Sequence, residues 1–274
     1  MNENEAFRDR DAAGRAMAAA LAHLRGADVV VLGLPRGGVP VAAQVARRLD
    51  APLDVFVVRK LGVPGREELA MGAIASGGTT VLNREVVEAL DLTAREIAQV
   101  AQRELEELHR RERAYRGDQP PRKLDGKTVV LVDDGLATGS TMAAAVRALR
   151  EHAIGRLVVA VPVGSQQGCV ALRELADELV CLRTPQPFRS VGEWYEDFRQ
   201  LSDDDVRRLL AQAARGADDG AAVPEQLELM LDGSTLPGQL VVPAGAPGLV
   251  LFAHGSGSSH RSPRNQAVAA ELHG

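Results

Sequence analysis

The sequence predicts an α/β fold, a parallel sheet carrying helices on both faces. Two observations predict it. Short runs rich in Val and Leu are bounded by Gly, Pro or Asp, as buried strands are. Helical patterns fall between consecutive runs, and strands alternating with helices assemble into parallel sheets.

In chain order, residues 9–24 pattern as a helix and 29–34 as the first strand. A helix at 39–49 leads to a strand at 53–58. Residues 93–116 read as a longer helix that starts on the capping box Thr93, Ala94, Arg95, Glu96 and places Ile97, Ala101, Leu105 and Leu108 on one stripe. Its other faces are charged, so it reads as a solvated helix packed on the domain edge. Residues 118–123, with Pro120 and Pro121, return the chain to the sheet. Then come a strand at 128–132, a helix at 140–152, a strand at 156–163, a helix at 167–176 and a strand at 178–182.

At residue 215 the texture becomes Gly, Ala and Asp, which reads as a linker over 215–225 after a main domain at 1–214. Residues 226–274 read as a separate piece, with strand-like runs at 226–231, 238–242 and 248–253.

Bulk composition removes several classes of function. The 274 residues are 45% hydrophobic, which is ample for a buried core. A net charge of -5 disfavours nucleic acid and anionic membranes, so an anionic ligand has to be held locally. No apolar stretch approaches the ~20 residues that cross a bilayer, and no signal-peptide pattern opens the chain; a soluble cytoplasmic protein is expected. The six histidines and two cysteines show no zinc spacing, and Cys169 and Cys181 read as apolar fillers unless the fold brings them together. No metal ligands are assigned among the side chains.

The chemistry concentrates in residues 129–141. An apolar strand ends in Asp133 and Asp134, then turns through Ala137, Thr138, Gly139, Ser140 and Thr141 into a helix. Backbone N–H groups at such a helix start, with the hydroxyls of Thr138, Ser140 and Thr141, suit a phosphate, and Gly139 permits close approach. Adjacent carboxylates accept hydrogen bonds from a vicinal diol. Phosphate beside diol describes a ribose 5-phosphate. A Walker loop would require a Lys before Ser140, and a dinucleotide loop would require Gly-x-Gly-x-x-Gly where this chain has Gly33, Leu34, Pro35, Arg36, Gly37, Gly38. Phospho-receiver domains share the acid pair, although their following loop need not be Thr-Gly-Ser-Thr.

Residues 129–141 resemble the phosphoribosyl-diphosphate signature of type I phosphoribosyltransferases, and the similarity extends over about residues 7–210. The resemblance implies a Rossmann-like sheet with a small hood. It implies that Asp133 and Asp134 hold ribose hydroxyls and that residues 137–141 hold the 5-phosphate. Mg²⁺ would bridge ribose and diphosphate, and the assembly would be a homodimer. Arg36, Gly37 and Gly38 resemble the diphosphate loop of that family, which often carries a strained peptide, and Arg59 and Lys60 resemble its basic pair. Residues 63–72 would then be the flexible loop that closes over the site.

The implied reaction transfers 5-phosphoribosyl from phosphoribosyl diphosphate to a nucleobase-like nitrogen acceptor. Members acting on 6-oxopurines carry an acid where this chain has Ala137, which argues against hypoxanthine and guanine. Phe188, Trp194 and Tyr195 lie where the hood contributes, as an aromatic stack or as hood core. The alternative is a module that binds the sugar diphosphate without transferring it. In the tail, residues 249–257 resemble the third strand and oxyanion loop of a dienelactone hydrolase-like α/β-hydrolase, whose nucleophile elbow comes later than residue 274. The tail is therefore identified as the truncated start of such a domain.

Overall fold

The computed structural model describes residues 5–117, 119–218, 225–231 and 234–240. The chain divides into two compact units, Met1–Ala214 and Arg215–Gly274. In the first, α1 (Arg10–Ala20), β1 (Val29–Gly33), α2 (Gly38–Leu49) and β2 (Leu53–Val55) precede an antiparallel excursion. The excursion comprises β3 (Val58–Val63), β4 (Arg66–Ala75) and β5 (Thr80–Leu82), then α3 (Arg84–Ala89) and α4 (Ala94–Arg116). The chain returns through β6 (Thr128–Val132), α5 (Ser140–Arg150), β7 (Arg156–Val163), α6 (Gln166–Arg173) and β8 (Glu178–Arg183), and α7 (Asp203–Asp218) follows. In the second unit β9 (Glu225–Leu231) pairs antiparallel with β10 (Ser234–Leu240).

The main sheet runs β2-β1-β6-β7-β8, with every neighbouring pair parallel. Alternate residues supply its two faces. Val30, Leu32, Val129 and Leu131 pack with Met142 and Leu149 of α5 and Leu172 of α6. Val29, Val31, Val130 and Val132 pack with Met17 of α1 and Val45 of α2. Both faces are covered, so the strands read as unbroken apolar runs. Each fully buried Val or Leu contributes about 1.5–3 kcal/mol relative to exposure.

Two expectations are corrected. The run at 53–58 is not one strand: β2 stops at Val55, the Phe56 N–H bonds Gly33 O at 3.1 Å, and β3 opens a separate antiparallel sheet at Val58. The Ser76 hydroxyl takes the Val57 N–H at 2.9 Å and fixes that corner. Residues 63–72 are not an open loop but the heart of a hairpin, with Val63 opposite Arg66 across Pro64 and Gly65, whose φ is +72°. Arg66, Glu67 and Glu68 give that stretch a loop-like texture; they are exposed strand residues, while Leu61, Val63 and Met71 are buried. Those three form a core with Val100, Leu108 and Tyr115 of α4.

The capping box of α4 is formed, with the Thr93 and Glu96 side chains each bonding the other's backbone N–H. Its far end is tied to the edge strand through Asp54. Arg116 places Nε 2.7 Å from Asp54 Oδ1, donates Nη2 to Val55 O at 2.7 Å and reaches Glu112 at 3.0 Å. Asp54 also accepts the N–H groups of Val55 (2.7 Å) and Arg122 (3.1 Å).

Helix α7 has no counterpart among the expected elements. It reaches Asp218, four residues into the stretch read as linker, and residues 219–224 lie outside the described residues. β10 begins ahead of the run expected at 238–242, whose last two residues also lie outside the described residues, as does the run at 248–253. The hydrolase-like motif at 249–257 lies there too.

Candidate functional site

Chain order in the sheet reverses between β1 and β6, which are parallel neighbours. The crevice outside the carboxyl ends of such strands is where open α/β sheets place ligands. Both flanking loops carry residues singled out above.

After β6, Asp133 and Asp134 are half-buried. Burial, and next the neighbouring Asp134 charge, push the Asp133 carboxyl well above the ordinary carboxylate range. Burial raises Asp134 as well, opposed by the guanidinium of Arg10, whose Nε lies 2.8 Å from Oδ2. The Asp134 N–H donates to Asp133 Oδ1 at 2.8 Å, and the Tyr195 hydroxyl donates to Asp134 O at 2.6 Å.

The loop after β1 lies directly on this pair. A Cβ on Gly37 would overlap the Asp134 carboxylate, and one on Gly38 would stand 2.8 Å from Asp133 Cα. Glycine is what lets the two loops touch. The Pro35–Arg36 peptide is cis.

Beyond the acids, Ala137, Thr138, Ser140 and Thr141 line the turn, and Gly139 brings the chain into α5 at φ 78°, ψ 0°. That left-handed conformation, more than close contact, is what asks for glycine at 139. The Thr138 and Ser140 hydroxyl oxygens are 3.1 Å apart. Ser165 anchors the loop from behind, its hydroxyl donating to Ala137 O and its N–H to Leu136 O at 2.8 Å.

The helix starts differ in a telling way. Asp9, Asn83, Thr93 and Ser165 cap α1, α3, α4 and α6 through their side chains. Helices α2 and α5, which begin at Gly38 and Ser140 on either side of the acid pair, have no side-chain cap. Two partly positive helix ends without side-chain caps therefore flank two carboxylates.

The three cations are more dispersed. Arg36 Nη1 is 3.9 Å from Asp203 Oδ1, which also accepts the Tyr115 hydroxyl at 3.0 Å. Arg59 is held by Glu104 of α4 at 3.0 and 2.7 Å, and Lys60 lies 3.5 Å from Glu68 of β4. The structure thus brings Gly37, Gly38, Asp133 and Asp134 together and places residues 137–141 next in line. Arg59 and Lys60 stand on the antiparallel sheet, each with its own acid.

Tyr195 is buried, its ring 5.8 Å from Phe7 and 5.0 Å from Phe198, and Phe188 and Trp194 pack on the same cluster. Cys169 and Cys181 are free thiols whose sulfurs both lie beside Gly164. Arg10 and the Tyr195 hydroxyl are not evident from the sequence motifs. A signal exists for Arg10: it continues the buried stripe of Ala13, Gly14 and Met17, and a charge on an apolar stripe asks for a buried partner.

The profile of the phosphoribosyl transferase domain family matches residues 5–196. The chain belongs to that family. A Mycobacterium tuberculosis (strain CDC 1551 / Oshkosh) protein, whose name assigns it provisionally to the phosphoribosyl transferases, is 47% identical over 277 residues, covering 98% of this chain and 62% of its own length. The chain thus spans less than two thirds of that relative. A ribose-phosphate pyrophosphokinase of Methanopyrus kandleri is 37% identical over 108 residues, 36% of each chain. The crystal structure of TT1426 from Thermus thermophilus superposes with a TM-score of 0.68 at 44% identity, covering 76% of this chain and 98% of that one. The parallel sheet flanked by helices is the type I fold of the phosphoribosyl transferase domain. Among the described residues no helix is long and apolar enough to cross a membrane.

Proposed function

We propose that this phosphoribosyl transferase domain binds phosphoribosyl diphosphate at the β1–β6 crevice and transfers 5-phosphoribosyl to a small nitrogenous acceptor, releasing diphosphate. The observation that carries the reading is the pair of uncapped helix starts, α2 and α5, on either side of the acid pair. One end suits a diphosphate, the other a 5-phosphate, and the carboxylates between them suit the ribose hydroxyls. In this assignment residues 137–141 anchor the phosphate, Asp133 and Asp134 the sugar, and Arg36, Gly37 and Gly38 the leaving group. Anchoring both ends of the donor supplies orientation. The bond from the anomeric carbon to the diphosphate oxygen breaks as the acceptor nitrogen approaches, and charge grows on the leaving group. Arg36 is nearest in sequence to stabilise it, with Arg59 and Lys60 recruited from their present acids.

Among the described residues no group of three or more His, Cys, Asp or Glu could hold a metal ion. Mg²⁺ fits here as an ion carried by the oxygens of the donor, since it commonly keeps few protein ligands. When bound it would disperse the leaving-group charge, and the acids and the two loops would hold the donor that carries it.

One observation favours the second reading, a sensor that binds without transferring: Arg36, Arg59 and Lys60 are each occupied by a carboxylate. The test has two stages. Phosphoribosyl diphosphate with Mg²⁺ should raise the thermal midpoint, since a ligand of the folded state stabilises it. Nucleobases and small amines are then screened for diphosphate release; tight binding with no release from any acceptor selects the sensor. No thermal shift at saturation would overturn both.

We also propose a homodimer, a cytoplasmic location and a second, dienelactone hydrolase-like domain beginning near residue 226. The support is family resemblance and the motif at 249–257. A truncate at residue 214 that stays folded and binds ligand is the check on the domain assignment.

A further inference from the structure

Asp134 lies between two elements that the proposed function does not connect. On one side is Gly37, close enough that a Cβ there would overlap the carboxylate. On the other is Arg10, buried at 9% exposure. Its fork is fixed on three sides: Nε 2.8 Å from Asp134 Oδ2, Nη1 donating to Arg199 O at 3.0 Å, and the guanidinium carbon 3.9 Å from the Phe198 ring centroid. The Tyr195 ring, 6.0 Å from the same carbon, belongs to the residue whose hydroxyl holds Asp134 O. A buried guanidinium is costly unless paired, and a planar fork so held has little freedom left. Among the described residues Asp133 has no cation of its own: its Oδ1 accepts the Asp134 N–H at 2.8 Å and its carboxyl interacts with that of Asp134.

We infer that Arg10 is the positioning residue for the acid pair: it holds the Asp134 carboxylate in one orientation against Gly37 and so sets the geometry in which the pair meets the ribose hydroxyls. This rests on the proposed donor site. It also makes segment 195–199 part of the site, because Arg199 and Phe198 hold Arg10.

The experiment measures phosphoribosyl diphosphate binding with Mg²⁺ by calorimetry on the whole chain, unmutated and as R10Q, R10K, F198A, D134N and R10Q/D134N, with unfolding midpoints taken in parallel. R10Q should weaken binding about tenfold, the size of a lost charge-assisted bond. R10K should recover part of it, since an ammonium restores the charge but not the fork. R10Q/D134N should bind no more weakly than D134N, because a residue acting through another is non-additive with it. Phe198 is 37% exposed, so F198A keeps the fold and shows a smaller loss in the same direction. Where an acceptor is found, R10Q should raise KM for the donor more than it lowers kcat. If R10Q does not fold, R10K and F198A carry the test. Equal binding by the unmutated protein and the Arg10 and Phe198 variants, or additive R10Q and D134N losses, overturns the inference and leaves the donor site standing. No binding by the unmutated protein overturns the donor site, and this inference with it.

Discussion

Asp54 on β2 and the Asp133–Asp134 pair after β6 are carboxylates drawn into the same sheet, yet their surroundings differ in kind. Asp54, 5% exposed, is met by a guanidinium and two backbone N–H groups, and the guanidinium spends its other nitrogens on Val55 O and Glu112. The acid pair has two carboxylates, one cation, and burial that raises both acids. In the saturated cluster the carboxylate already has its donors. An undersupplied one stores a preference for whatever brings donors, as the ribose hydroxyls of the proposed ligand would. The lesson is to judge a buried acid by what it still lacks.

The contrast breaks most visibly at the saturated cluster. Arg116→Met should cost about 3–5 kcal/mol in urea unfolding, because it leaves a buried carboxylate without its cation. Unchanged stability would show that the cluster does not tie α4 to the edge strand. At the other cluster, Gly37→Ala should cost about 1–3 kcal/mol of stability by overpacking and abolish donor binding, since the new methyl displaces Asp134. Calorimetry that finds normal binding would remove the loop from the site.

Asp133→Asn sharpens the comparison in sign. Because its folded pKa is raised, Asp133 favours folding in acid, and that contribution is lost as pH rises from the usual carboxylate range through the raised value. The asparagine variant should therefore melt a few degrees higher at neutral pH, at about 2–4 °C per kcal/mol, and equally with the parent in acid below the ordinary carboxylate range. A lower neutral midpoint would show that the fold depends on the ionised acid. The smallest effect belongs to the exposed Lys60–Glu68 pair, 3.5 Å apart: Glu68→Gln should change stability by less than about 1 kcal/mol in the same urea titration.

The main sheet was legible because strands covered on both faces announce themselves by composition alone, as 128–132 and 156–163 do. The hairpin was not. Its buried residues Leu61 and Met71 are separated by Pro64, Gly65 and a run of charges, so alternation gives way to loop texture. Helix α7 had a readable start, since Ser202 and Asp205 bond each other's backbone N–H at 2.9 and 3.1 Å, and the spacing is that of a capping box. Of the site, the residues adjacent in sequence could be read as a motif. Arg10 could not, for its partners are Asp134 and Arg199, and only the fold brings them within reach.

The Arg10 bonds have a consequence for how the protein is made. They span 124 and 189 positions, and Phe7 pairs with Tyr195 beside them. On the ribosome, β1, the loop at 137–141 and β7 all emerge before the segment at 195–199 that completes the setting of Arg10. Synthesis delivers most of the sheet first and, late, the part that finishes its crevice. A nascent chain stalled before Arg199 should carry native strands while Arg10 still lacks its full setting beside the acid pair.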